Sequence, residues 1–193
     1  MLNSLAVIIC AVTSIALLVS MDWRWTVGAL AAMYVAVLIL VSATWPLGMA
    51  ITKLVVGWMA GAALGLSQMG QRSLATEGSS WPASRIFRLL AAGLVMLMIA
   101  AIVPKAEGFL VTVGTPQIWG GFILLGMGLL QLGMTAHPFR VIIGLLTVLA
   151  GFEILYAAVE ISVLVAGLLS AVNLGLALVG VYLLNLTNLE EPS

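Results

Sequence analysis

Between Phe139 and Leu186 the chain is almost unbroken apolar sequence, roughly twice the ~20 residues that one membrane span requires. A run of that length has to turn back on itself once. Between Arg140 at its start and Asn185 at its end, only three strongly polar side chains lie within it: Glu153, Glu160 and Asn173. A carboxylate inside an apolar span costs on the order of 2.5–3.5 kcal/mol on insertion scales, so Glu153 needs polar company to be there.

The rest of the chain has the same character. Hydrophobic residues make up 63% and charged residues 7%, and few charges spread over long apolar runs define a polytopic helical membrane protein. Net charge is zero and the aromatic residues are not interleaved with basic ones, which removes the case for nucleic acid. Cys10 is the only cysteine, so an intrachain disulfide and a cysteine-rich metal site are both excluded. The apolar N-terminus has no Lys or Arg ahead of it, so it reads as a retained span rather than a signal peptide.

Seven spans account for the apolar sequence, and the expected fold is an all-α transmembrane bundle. They run about Leu2–Met21, Thr26–Val41, Leu47–Leu66, Arg85–Val103, Ile118–Thr135, and two more within Phe139–Leu186. The last turn falls near Ala157–Ile161, where Tyr156 and Glu160 suit an interface, or at Gly167, which would sink Glu160 beside Glu153. Ser67 to Ser84 reads as the longest loop, rich in Gly, Ser and Pro. Pro104 to Gln117 reads as a second loop, with a short extended piece at Phe109 to Val113.

Orientation follows from the basic residues. Arg24, Arg72, Arg85, Arg88 and Arg140 fall on one side and Lys105 on the other. The positive-inside rule puts the N-terminus outside and the C-terminus inside a multi-pass cell membrane protein.

Lys53, Gly57, Gly61 and Gly65 recur every four residues and line one helical face. Small-xxx-small steps allow a neighbouring backbone to come close, and Lys53 shares that stripe, so it points at protein unless it snorkels outward. At ~1.5 Å rise per residue, Lys53 lies roughly 10 Å below the outer boundary. Glu153, climbing from Arg140, reaches about the same depth. Opposite charges at matching depth face one polar interior, in this subunit or across an interface. Glu153 is then either a proton-exchanging group or a static lock on helix packing.

Gln131 and Asn173 fall near mid-membrane, where amides hold water between charged groups or simply bond across helices. Gly167, Ala171 and Gly175 form a second small-residue stripe. His137, in a turn beside Pro138, lacks the partners that haem or metal binding would need. No phosphate-binding glycine loop, nucleophile motif or metal spacing is present. No cofactor is expected.

Gly151-Phe152-Glu153-Ile154-Leu155-Tyr156-Ala157-Ala158 resembles the glycine-x-glutamate helix of the K-type subunit of complex I, which also occurs in the C subunit of multisubunit cation/proton antiporters. Gly175-Leu176-Ala177-Leu178 looks like the following helix of that subunit. Several extra spans before a three-helix unit resemble component E of energy-converting membrane hydrogenases, as do the strings Ile51-Thr52-Lys53 and Val159-Glu160-Ile161. The resemblance divides the chain into four accessory spans (1–117), a K-like unit (118–187) and a polar tail (188–193).

It implies that Glu153 is the membrane-centre carboxylate of a lateral polar axis coupling redox chemistry to ion movement, with large antiporter-like subunits as partners. The chain departs from that family at one point. The second carboxylate would fall near Ala171 to Asn173, and no acid is there. The functional expectation is therefore a non-catalytic subunit of an ion-translocating complex, with Glu153, Lys53, Glu160, Asn173 and Gln131 as candidate path residues. The rival expectation is a purely structural or assembly subunit of a respiratory or photosynthetic complex.

Overall fold

A computed structural model describes residues 2–20, 22–69, 82–110 and 112–189. They form seven helices: α1 (Leu2–Val19), α2 (Trp23–Val41), α3 (Leu47–Met69), α4 (Pro82–Phe109), α5 (Thr115–Gly133), α6 (Pro138–Val159) and α7 (Val163–Leu189). All but α5 are long and apolar enough to cross a membrane, so the chain is a multi-pass membrane protein. α5 has the length, but its five glycines and two glutamines dilute its apolar content.

The helices make two rows of three, with α4 outside. α1, α2 and α3 are neighbours in the first row. α5, α6 and α7 are neighbours in the second. Across the rows α1 meets α5, α2 meets α6 and α3 meets α7. α2 is the most enclosed helix of the first row: Leu30, Met33, Tyr34, Val37 and Leu40 are all sealed from the surface. α4 rests on α5 and α1 and presents Leu90, Leu94 and Leu97 outward, which suits a helix bathed in lipid.

The tightest seam joins α5 to α6. Gly121 and Gly128, two turns apart on α5, face Gly151 and Gly144 on α6 in antiparallel register. A Cβ added at Gly151 would lie 2.7 Å from both the Gly121 carbonyl oxygen and the Leu125 amide nitrogen. One at Gly128 would lie 2.8 Å from the Val148 amide nitrogen. Only glycine lets two backbones come that near.

Basic side chains cap the C-terminal end of α1. The Arg88 guanidinium donates to the Leu18 carbonyl at 3.2 Å, and Arg140 donates to that of Ser20. Cations at a helix C-terminus complement its unpaired carbonyls and its dipole. At the neighbouring turn, burial and then Arg140 hold His137 below the usual histidine value, so it is neutral at pH 7.

Several boundaries differ from the sequence expectation. α4 does not stop at Val103: it runs through Pro104 to Phe109. The missing proline N–H forfeits one backbone bond, which a membrane helix packed on neighbours tolerates. Thr112 and Val113 form a turn closed by Val113 N–H donating to the Leu110 carbonyl, and no strand occurs among the described residues. Ser67 to Met69 belong to α3 and α4 begins at Pro82, while the rest of the expected first loop lies outside the described residues. The last reversal comes at Glu160–Ser162, close to Tyr156 and not at Gly167. The boundary drawn at residue 118 falls inside α5.

Candidate functional site: an ion pair inside the bundle

Lys53 comes from the second turn of α3, six residues past its start at Leu47. Glu153 lies six residues before the end of α6 at Val159. At ~1.5 Å per residue both sit roughly 10 Å deep. There Lys53 Nζ donates to Glu153 Oε1 at 2.7 Å, with side chains 3% and 1% exposed. The pair lies wholly within one chain and bridges the two rows.

Two further side chains complete the cluster. Asn173, fully buried on α7, donates through Nδ2 to the same Glu153 Oε1 at 2.9 Å. Tyr34, on α2, donates its hydroxyl to Asn173 Oδ1 at 3.2 Å. Four helices thus contribute one polar group each. Glu153 Oε2, equally buried, has no hydrogen-bond partner among the described residues. Such a group in a low-dielectric interior is costly, and its exceptions mark sites of chemistry, strain or an extra bonded species.

Small residues let the four helices converge. Gly57, one turn below Lys53, lies directly against the Tyr34 ring, and a Cβ there would collide with it. Ala50 flanks Lys53 on the other side, Ala150 and Ala157 flank Glu153, and Ala177 follows Asn173, all of them buried. Large side chains at these one-turn neighbours would hold the polar groups apart. Gly61 and Gly65 continue the stripe less tightly: a Cβ added at either would make ordinary contact, at 3.5 Å, with Leu30 and Val27 respectively.

The other expected path residues stand elsewhere. Glu160 caps the end of α6 on the exposed outer turn, roughly 10 Å from Glu153 along the helix axis. Its backbone is what is engaged: the N–H donates to the Tyr156 carbonyl and the carbonyl accepts from Trp45 Nε1, both at 3.0 Å. Because the helix ends at Val159, the Glu160 carboxyl stays at the surface, outside the cluster. Gln131 is buried near the C-terminal end of α5, where its Nε2 donates to the Arg140 carbonyl at 3.1 Å. It bonds across helices about 20 Å from Glu153 along α6. α5 ends two residues later at Gly133, so Gln131 is not at mid-depth.

The α7 stripe is also corrected. Gly167 and Ala171 are exposed, and a Cβ at Gly167 or Gly175 would meet nothing within 4 Å. The buried face of α7, set by Ala166, Leu169, Asn173 and Ala177, is the one turned toward α3 and α6. Among the described residues, none therefore packs closely against Gly167 or Gly175.

Tyr34 was not anticipated. A lone tyrosine in the middle of an apolar span, far from either interface, was the available signal, since such rings normally sit at the headgroup level. Thr147 and Ser170 are buried too, but each hydroxyl is spent on the carbonyl four residues earlier in its own helix. Among the described residues no group of His, Cys, Asp and Glu could hold a metal ion. Comparison with protein families, with characterised proteins and with solved structures returns no match.

Proposed function

We propose that this chain is a membrane subunit that supplies an intramembrane ion pair, Lys53–Glu153, to the proton or cation path of a larger membrane complex. The observation that carries the reading is the carboxylate itself, buried roughly 10 Å deep with one oxygen doubly bonded by donors and the other unpartnered. Intramembrane ionisable groups mark ion paths and proton relays by default. A carboxyl with an open oxygen beside a movable ammonium can take up and release a proton as the lysine swings toward or away from it.

The glycine-x-glutamate string around Glu153 supports a place beside large antiporter-like subunits, in a complex of the complex I or membrane-hydrogenase kind. Asn173 occupies the neighbourhood where that family carries its second acid. An amide there cannot pass a proton on as a carboxyl does, so Glu153 would hand over to a partner subunit or to water. A structural subunit is the second reading. It is favoured by the closure of the pair within one chain, where Lys53 and Glu153 already neutralise each other.

The deciding experiment purifies the chain with its membrane partners, identifies them, and measures ion movement in vesicles for wild type and Glu153→Gln. Loss of coupled transport with the complex still assembled supports the path reading. Undiminished transport leaves the structural one.

A further inference from the structure

We propose that Tyr34 is a positioning residue for Glu153, acting through Asn173; the proposal rests on the reading of Glu153 as an exchangeable carboxyl. The argument begins with the Asn173 amide, which has one accepting and one donating end. An ionised carboxylate only accepts, so Asn173 must turn its Nδ2 toward Glu153, as it does at 2.9 Å. That leaves Oδ1 facing α2 in a dry interior, where an acceptor without a donor is costly. The Tyr34 hydroxyl is that donor, at 3.2 Å.

Without the hydroxyl, Oδ1 would be left without its donor on the α2 side and the amide would lose its anchor there. A flipped amide would bring its oxygen against the carboxylate. The carboxylate sets which end of Asn173 it meets, and Tyr34 holds the amide in place by satisfying the other end.

The placement of the ring reinforces this. It is seated on Gly57, where any larger residue would displace it. Gly57 lies one turn from Lys53 on the same face of α3. One helix face therefore delivers the cation to Glu153 directly and holds the ring that orients the second donor. Both donors end on Oε1. Oε2 is left as the oxygen open to a proton.

The test is isotope-edited infrared spectroscopy of the full chain in lipid vesicles, with labelled glutamate and the Glu153 band assigned by its absence in Glu153→Gln. Tyr34→Phe keeps the ring on Gly57 and removes only the hydroxyl. The expected result is a displaced Glu153 band in Tyr34→Phe, in the same direction as in Asn173→Ala. The double variant is expected to show no further displacement beyond Asn173→Ala alone.

Trp58→Phe, which removes another bond between α3 and α2, the Trp58 indole N–H to the Ala31 carbonyl, is the control for loosened packing and is expected to leave the band in place. A wild-type band in Tyr34→Phe, additive displacements, or an equal displacement in Trp58→Phe would each overturn the proposal. Because the readout is the carboxyl and not transport, failure of Glu153→Gln to alter ion movement would defeat the ion-path reading while leaving the Tyr34 result to be judged separately.

Discussion

Lys53 and Glu153, one hundred positions apart in the chain, meet at 2.7 Å across the two rows of helices. Each charge makes the other tolerable in a site with almost no solvent. The arrangement fixes how α3 and α6 register more than it adds to stability, since a buried pair barely repays the cost of desolvating both partners.

Removing one partner is therefore expected to be worse than removing both. Lys53→Met or Glu153→Leu alone should destabilise the chain by about 3–5 kcal/mol, leaving an uncompensated buried charge. The double variant should recover most of that loss. Unfolding in mixed micelles, read as a double-mutant cycle, measures the coupling. Additive losses would mean that the pair is not an energetic unit.

The glycines divide by what lies above them. Gly57→Ala and Gly151→Ala should each cost about 1–3 kcal/mol through overpacking, against the Tyr34 ring and the α5 backbone respectively. Gly167→Ala meets nothing and removes a flexible residue from a helix interior, so a gain of ~0.5–1 kcal/mol is expected. Thermal unfolding in one detergent ranks the three. Equal effects would show that the small-residue stripes are not read by neighbouring helices.

At the outer turns, Trp45→Phe should lose about 1 kcal/mol with its bond to the Glu160 carbonyl. Glu160→Gln keeps that carbonyl and should stay within ~0.5 kcal/mol of wild type, as exposed substitutions do. Transport in the assembled complex should be equally indifferent to Glu160→Gln. A transport defect there would put Glu160 back among the path residues.

Orientation is checked with thiols. Cys10 is fully buried and makes a silent background. Ser42→Cys, on an outer turn, should react with an impermeant reagent in intact cells. His137→Cys, on the inner turn by the basic-residue bias, should react only after permeabilisation. The reverse pattern would invert the assignment.

The helices were legible because apolar runs of span length leave few alternatives, and the reversal after Val159 was legible because Tyr156 and Glu160 mark an interface. The depth match of Lys53 and Glu153 was simple arithmetic on helical rise. The Tyr34 contact was not legible: a phenol carries no periodic signal, and its meaning depends on Gly57 and Asn173 arriving from other helices.

Pro104 misled for a related reason, because the cost of a missing N–H depends on the surroundings. The α7 stripe shows the limit of small-residue patterns, which name a face without naming what approaches it. The opposite happened at Gly121, Gly128, Gly144 and Gly151. Their equal seven-residue spacing on consecutive helices was present in the sequence, and its antiparallel match only becomes visible once α5 and α6 are side by side.

That glycine seam bears on how the protein reaches the bilayer. α5 has traded hydrocarbon for closeness, and what it lacks in partition energy is restored only when α6 lies against it. α5 is therefore expected to insert stably only together with α6, as a hairpin, and poorly on its own. Glu153, two residues beyond the last glycine of the seam, belongs to that same hairpin, so a failure to pair α5 with α6 is expected to cost the contact with Lys53 as well.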